Sequence, residues 1–136
     1  MYLLDTNVVS ELRKAARADR RVVAWAEQTD ILHMHISVVS ILEIRLGILS
    51  LQRKDTAQAE ILNTWLSRQV IPGFADRILP VDLAVALRCA ELHVPDPKSD
   101  RDALIAATAL AHGLMVVTRN IKDFQPTGVM TLDPWQ

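Results

Sequence analysis

Short apolar runs alternate along this chain with longer segments of helical periodicity, and few architectures accept that order. Tyr2-Leu3-Leu4 forms the first run and stops abruptly at Asp5. Thr6 is placed to cap a helix in which Val8, Val9 and Leu12 recur at helical spacing. Asp19 opens a second helix to about Gln28. Ile31 to Ile36 reads as a strand, with His33 and His35 alternating against Leu32, Met34 and Ile36. Helices are predicted over residues 38–51 and 55–70, the second ended by Pro72 and Gly73. Ile78-Leu79 is a short strand, residues 82–94 and 101–112 are helices, 114–117 a strand and 129–132 a weak last strand. This alternation predicts an α/β fold, a three-layer sandwich around a mainly parallel sheet.

With 136 residues, the chain fits a single domain spanning 1–136. A domain of that size buries roughly 68% of its unfolded surface, so it needs no covalent staples. A lone cysteine, Cys89, excludes an internal disulfide and fits a reducing compartment. The start, MYLLDTN, lacks a basic leader, and the longest uncharged run, residues 103–118, is too short to span a bilayer. The expected location is therefore the cytoplasm, with no membrane partner. A formal net charge of −1 excludes a strongly basic protein that wraps duplex DNA but allows a local basic patch.

In an open parallel sheet, ligands bind beyond the carboxyl ends of the strands. Asp5 follows the first strand, Thr118-Arg119-Asn120 follow the strand 114–117, and Asp102 begins the helix feeding that strand. Glu43 lies in a helix whose neighbours Leu42, Ile44, Leu46, Ile48 and Leu49 mark it as mostly buried. A buried carboxylate needs a partner, either an ion pair with Arg45 or Arg88 or a metal ion. Each acid also has a plainer reading. Asp5 can cap the next helix, Asp102 stands three residues after Ser99 as in a capping box, and Asp123 is a solvated loop acid. Together, carboxylates brought to one sheet edge repel unless a cation neutralises them. Oxygen-only ligands suit Mg²⁺ or Mn²⁺, and such sites commonly activate water against phosphodiesters. The four histidines lack zinc-site spacing and read as structural or surface groups. With 4 glycines there is no glycine-rich phosphate loop, and no serine occupies a nucleophile elbow. Cys89 reads as a packed thiol, and Trp25, Trp65 and Trp135 as packing groups.

These residues resemble a known family. MYLLDTNVVSE, SVVSILEIRLG, DRDALIAATALAHG and VVTRNIKDF resemble, in order, the PIN domain, and more closely the VapC-type ribonuclease toxins of bacterial toxin–antitoxin modules. VVAW, FADRILPVD and the PW near the end look most like the FitB branch. The resemblance implies a sheet of four or five strands, Mg²⁺- or Mn²⁺-dependent endonucleolytic cleavage of RNA, a toxin homodimer and inhibition by a cognate antitoxin. Sequence-specific DNA binding in such complexes belongs to the antitoxin, so none is expected of this chain. Carried over by position, Asp5, Glu43 and Asp102 match the family acids as catalytic and metal-holding residues. Asn120 stands where an Asp is frequent, and Asp123 is a candidate to compensate. Thr6 and Thr118 match supporting polar positions behind the acids.

RNA must also be gripped by cations. Arg13, Lys14, Arg17, Arg20 and Arg21 form the densest basic cluster, opposed locally by Asp19 alone, and Arg119 is a second candidate. A solvated helix end is the competing reading of the cluster. Two other functions stay open at this point. One is a non-catalytic PIN-like binding module, towards which Asn120 points. The other is a phospho-acceptor signalling domain, which fits less well because Asp5 has no paired acid and residue 119 is Arg.

Overall fold

The alternation folds into one parallel sheet with helices on both faces. The computed structural model describes every residue from Met1 to Gln136. Its strands are β1 (Tyr2–Leu4), β2 (Met34–Ser37), β3 (Ile78–Leu79), β4 (Met115–Val117) and β5 (Thr131–Leu132). They lie in the order β3-β2-β1-β4-β5, and every neighbouring pair is parallel. β1 is therefore central, with Tyr2 opposite both Met34 and Met115. The helices are α1 (Thr6–Arg13), α2 (Arg20–Gln28), α3 (Val38–Gln52), α4 (Thr56–Trp65), α5 (Ile71–Gly73), α6 (Leu83–Leu92), α7 (Asp100–His112) and α8 (Ile121–Phe124).

Strand periodicity divides the core. Leu4, Met34, Ile36 and Val117 pack with α1 to α4 through Val8, Val22, Ile44 and Ala59. Leu3 and Val116, one residue out of phase, pack on the opposite face against Ile105, Ala106 and Ala109 of α7. α6 covers α7 from outside, with Val85 and Cys89 against Ala103 and Ala107. The sequence reading of α7 as a central helix holds: Ala103 and all of residues 105–109 are buried.

Several local expectations change. α3 is not mostly buried, since Leu42, Leu46 and Leu49 are 51%, 42% and 44% exposed. Apolar residues on all sides of this helix reflect two different surfaces, one towards the sheet and one open. Asp5, not Thr6, is the N-cap of α1, and its carboxylate accepts the Thr6 N–H. The strand expected from Ile31 begins only at Met34, because Asp30 accepts the Leu32 N–H and winds Ile31–His33 into a 3-10 turn. The helix expected to run to Val70 passes at Leu66 into a π-helical turn. The helical path then continues through Pro72, which is tolerated in the first turn of α5. Ser99 occupies the N-cap position of α7 but makes no side-chain capping bond.

α7 ends where the sequence reading places it. Gly113 adopts φ 67° and ψ 35°, and its N–H bonds the Ala109 carbonyl. Only glycine takes this left-handed conformation at little cost. Gly113→Ala should lower stability by about 1 kcal/mol, read from urea unfolding as a lower midpoint at unchanged m-value.

Candidate active site

The central strand of a parallel sheet delivers its next residue to the carboxyl edge, and here that residue is Asp5. Its backbone N–H still bonds the Val117 carbonyl at 2.9 Å, so its position is fixed by the sheet. One carboxylate oxygen caps α1. The other accepts the buried Thr118 hydroxyl at 2.8 Å and, more loosely, the Asn7 amide at 3.4 Å. Asn7 also donates to Thr118 Oγ1 and accepts the Arg119 N–H. Thr118 Oγ1 in turn accepts the Asn120 N–H at 3.0 Å. A compact network thus joins the ends of β1 and β4.

Glu43 enters from the second turn of α3. Thr6 Oγ1 donates to its Oε1 at 2.8 Å. Its Oε2 faces the Arg101 guanidinium at 3.8 Å. The ion-pair partners proposed from sequence are thereby replaced: Arg45 donates instead to Asn63, and Arg88 makes no ion pair. Asp102 lies half-buried in the first turn of α7, and its carboxylate has neither a hydrogen bond nor an ion pair within the chain. Asn120 is exposed at the start of α8, with no capping bond from its side chain. Asp123 falls in the first turn of α8 rather than in a loop.

Charge confirms that these groups share one environment. Burial pushes the Asp5 carboxyl up to about 6, and Glu43 and Asp102 push it the same way against the hydrogen bonds of Thr118 and Thr6. Asp102 is raised by its own desolvation, then by Asp123, then by Glu43. Asp123 therefore acts on Asp102 more strongly than Glu43 does. The edge carries four carboxylates, with Asp102 coupled to each of the other three, and Arg101 is the one basic side chain within 4.0 Å of any of them.

The basic cluster is less uniform than its sequence suggests. Lys14 pairs with Glu11 at 2.9 Å, so Asp19 is not the sole opposing acid. Arg21 forks onto Asp19, and Arg13 lies 5.9 Å over the Trp65 ring. Arg17 and Arg20 are exposed and unpaired. Arg119 lies 5.1 Å over Trp135. Glu11 escaped the sequence reading. Its buried carboxylate also accepts the Asp19 N–H at 2.8 Å, closing the turn that carries Lys14 and Arg17. These bonds hold its carboxyl below the usual range. Asn7 and Arg101 escaped too, although both lie inside the quoted motifs.

A five-stranded parallel sheet with acids gathered at its carboxyl edge places the chain in the PIN domain family, whose sequence pattern matches residues 2–127. Among known relatives it is 36% identical over 141 aligned positions to VapC ribonuclease Y4jK of Sinorhizobium fredii, covering 100% of this chain and 99% of that protein. It is 34% identical over 140 positions to the toxin FitB of Neisseria gonorrhoeae, covering 99% of each. Among solved structures, FitAcB from Neisseria gonorrhoeae superposes with a TM-score of 0.90 at 34% identity, over 100% of this chain and 99% of that one. The DNA-bound VapBC of Salmonella typhimurium shares the fold, with a TM-score of 0.74 at 23% identity over 98% and 97%.

The raised Asp5 carboxyl sets a pH dependence. Folded Asp5 keeps its proton to about pH 6, whereas its ordinary value is 3.8. Its contribution to stability is complete below 3.8 and is lost as pH rises through about 6. In chelator-treated protein, the Asp5 contribution, about 3 kcal/mol, should be lost across that window. Asp5→Asn should flatten the fall, as thermal unfolding across a pH series will show.

Proposed function

We propose that this chain is a divalent-metal-dependent endoribonuclease, the toxin of a toxin–antitoxin pair, with residues 1–136 acting as one nuclease domain. The carrying observation is the uncompensated acidic edge. Asp5 is buried with its carboxyl pushed up to about 6, while Asp102 has no partner within the chain. The names of the full-length relatives, a VapC ribonuclease and a toxin, support the same reading.

The donor set fits Mg²⁺ or Mn²⁺. It is all oxygen, and no three acidic, His or Cys groups close into a ready-made cage. Mg²⁺ asks for no more than one or two carboxylates, keeping water in its remaining positions. Asp5 and Asp102 would hold it, with Glu43 behind and Asn120 offering an uncharged carbonyl oxygen. When bound, such an ion supplies Lewis-acid polarisation of the phosphate and charge for the leaving oxygen. The chain's own groups do the rest. Thr118 and Asn7 fix the Asp5 carboxylate, and Thr6 holds one oxygen of Glu43 so that the other can accept a proton from attacking water.

Two surfaces suit the expected partners. A cavity of about 270 Å³ lined by Leu4, Val9, Leu12, Trp65, Val70 and Phe74 opens beside the basic Arg13. It would take an apolar segment of the antitoxin, one residue from Asp5. The exposed leucines of α3, with Leu83 and Leu87 of α6, supply apolar surface for a second copy of the chain.

Purified chain should cleave RNA with Mn²⁺ and stop when chelator is added. Asp5→Asn and Asp102→Asn should reduce cleavage to background, and Glu43→Gln should slow it by about 10²- to 10⁴-fold. Undiminished cleavage by either Asp variant overturns the assignment, and metal-independent RNA binding without cleavage favours the binding module.

Of the basic cluster, Arg17 and Arg20 have their donors free for phosphate. Replacing both by Gln should flatten the salt dependence of single-stranded RNA binding by about 1.4 in log–log slope. Filter binding across a salt series measures this, and an unchanged slope removes the cluster from the interface.

A further inference from the structure

Arg101 occupies a place that the stability of α7 does not explain. It is the second residue of the helix, where the positive end of the helix dipole disfavours a cation. Its side chain is half-exposed and makes no hydrogen bond within the chain. Its one charged neighbour is Glu43 Oε2 at 3.8 Å, beyond hydrogen-bond length, while Thr6 holds the other Glu43 oxygen at 2.8 Å. The guanidinium thus stands at the acidic edge with its five donors unspent. Its neighbour in sequence is Asp102, which like Asp123 has no ion-pair partner within the chain.

A surface ion pair of this length and exposure contributes little to folding. A planar fork with free donors, by contrast, suits an oxyanion approached side-on. We infer that Arg101 is a substrate-binding residue that faces Glu43 when the edge is empty and turns its fork to an RNA phosphate when a divalent cation takes over the charge of the acids. The two cations then compete for one set of carboxylates, and phosphate gives the displaced guanidinium its new partner. The inference rests on the nuclease reading above and adds to it a residue that the sequence motifs do not single out.

The test uses Arg101→Gln and Arg101→Lys in the full chain, each checked against the parent for an unchanged thermal midpoint. Mn²⁺ binding is measured by calorimetry without RNA. Binding of a single-stranded RNA to each is measured separately across a salt series with Mn²⁺ present, at times too short for cleavage. Arg101→Gln should bind Mn²⁺ severalfold more tightly, because the competing cation is gone. It should bind RNA about tenfold more weakly, with the salt slope reduced by about 0.7. Arg101→Lys should keep the salt slope and the parent's Mn²⁺ affinity while losing part of the RNA affinity, since it keeps the charge but not the fork. Unchanged or weaker Mn²⁺ binding by Arg101→Gln overturns the exchange, and an unchanged RNA salt slope overturns the phosphate contact. Failure of the nuclease reading looks different, because the parent chain itself then does not cleave RNA in the presence of Mn²⁺.

Discussion

A hydroxyl hydrogen bond holds the acidic edge together. Thr118 Oγ1 donates to Asp5 across the junction of β1 and β4, fully enclosed by the sheet and α1. Asp5 is buried and faces other carboxylates, so without that donor its charge would be answered on this side by a distant amide alone. The same hydroxyl oxygen accepts from Asn7 and from the Asn120 backbone, so the chain leaving β4 is pinned by the group that steadies Asp5. Parallel pairing supplies the geometry: Leu4 and Val117 are in register, which puts residues 5 and 118 side by side.

Around that bond the protein tolerates an electrostatic cost. Four acids converge with a single loosely held guanidinium among them. Elsewhere the chain pairs its charges closely, as Glu11 does with Lys14 and Asp19 with Arg21. Asp19 is held down to about 2 by Arg21, whereas Asp5 is driven up. The same sequence thus builds acids that are content and acids that are not, and the discontented ones lie at the mouth of the sheet. That contrast within one molecule favours a ligand-binding role for the edge over a purely structural one.

Much of this was legible from the sequence because it depends on short range. An apolar triplet cut off by Asp5 announces a strand that delivers an acid, and the alanine-rich run after Asp102 announces a buried helix. Gly113 marks where that helix must stop. What escaped depends on contacts distant in the chain. The exposed leucines of α3 cannot be told from buried ones when both faces of a helix are apolar. Glu11 looks like an ordinary amphipathic-helix acid until the turn at 14–19 folds back onto it. The sequence offers Arg45 and Arg88 as partners for Glu43, but the partner lies 58 residues onward at Arg101, where only the packing of α7 beside α3 brings it. Asn120 and Asp123 both stand out in the sequence, and Asp123 lies near enough to push the Asp102 carboxyl up.

One helix carries two surfaces of different character. α3 presents Glu43 to the acidic edge while Leu42, Leu46 and Leu49 look outward. The leucines and Glu43 share consecutive turns of one helix, so the open apolar face lies close beside the acidic edge. α3 is about four turns long, so it holds its outward leucines and Glu43 at a fixed spacing on one rigid element.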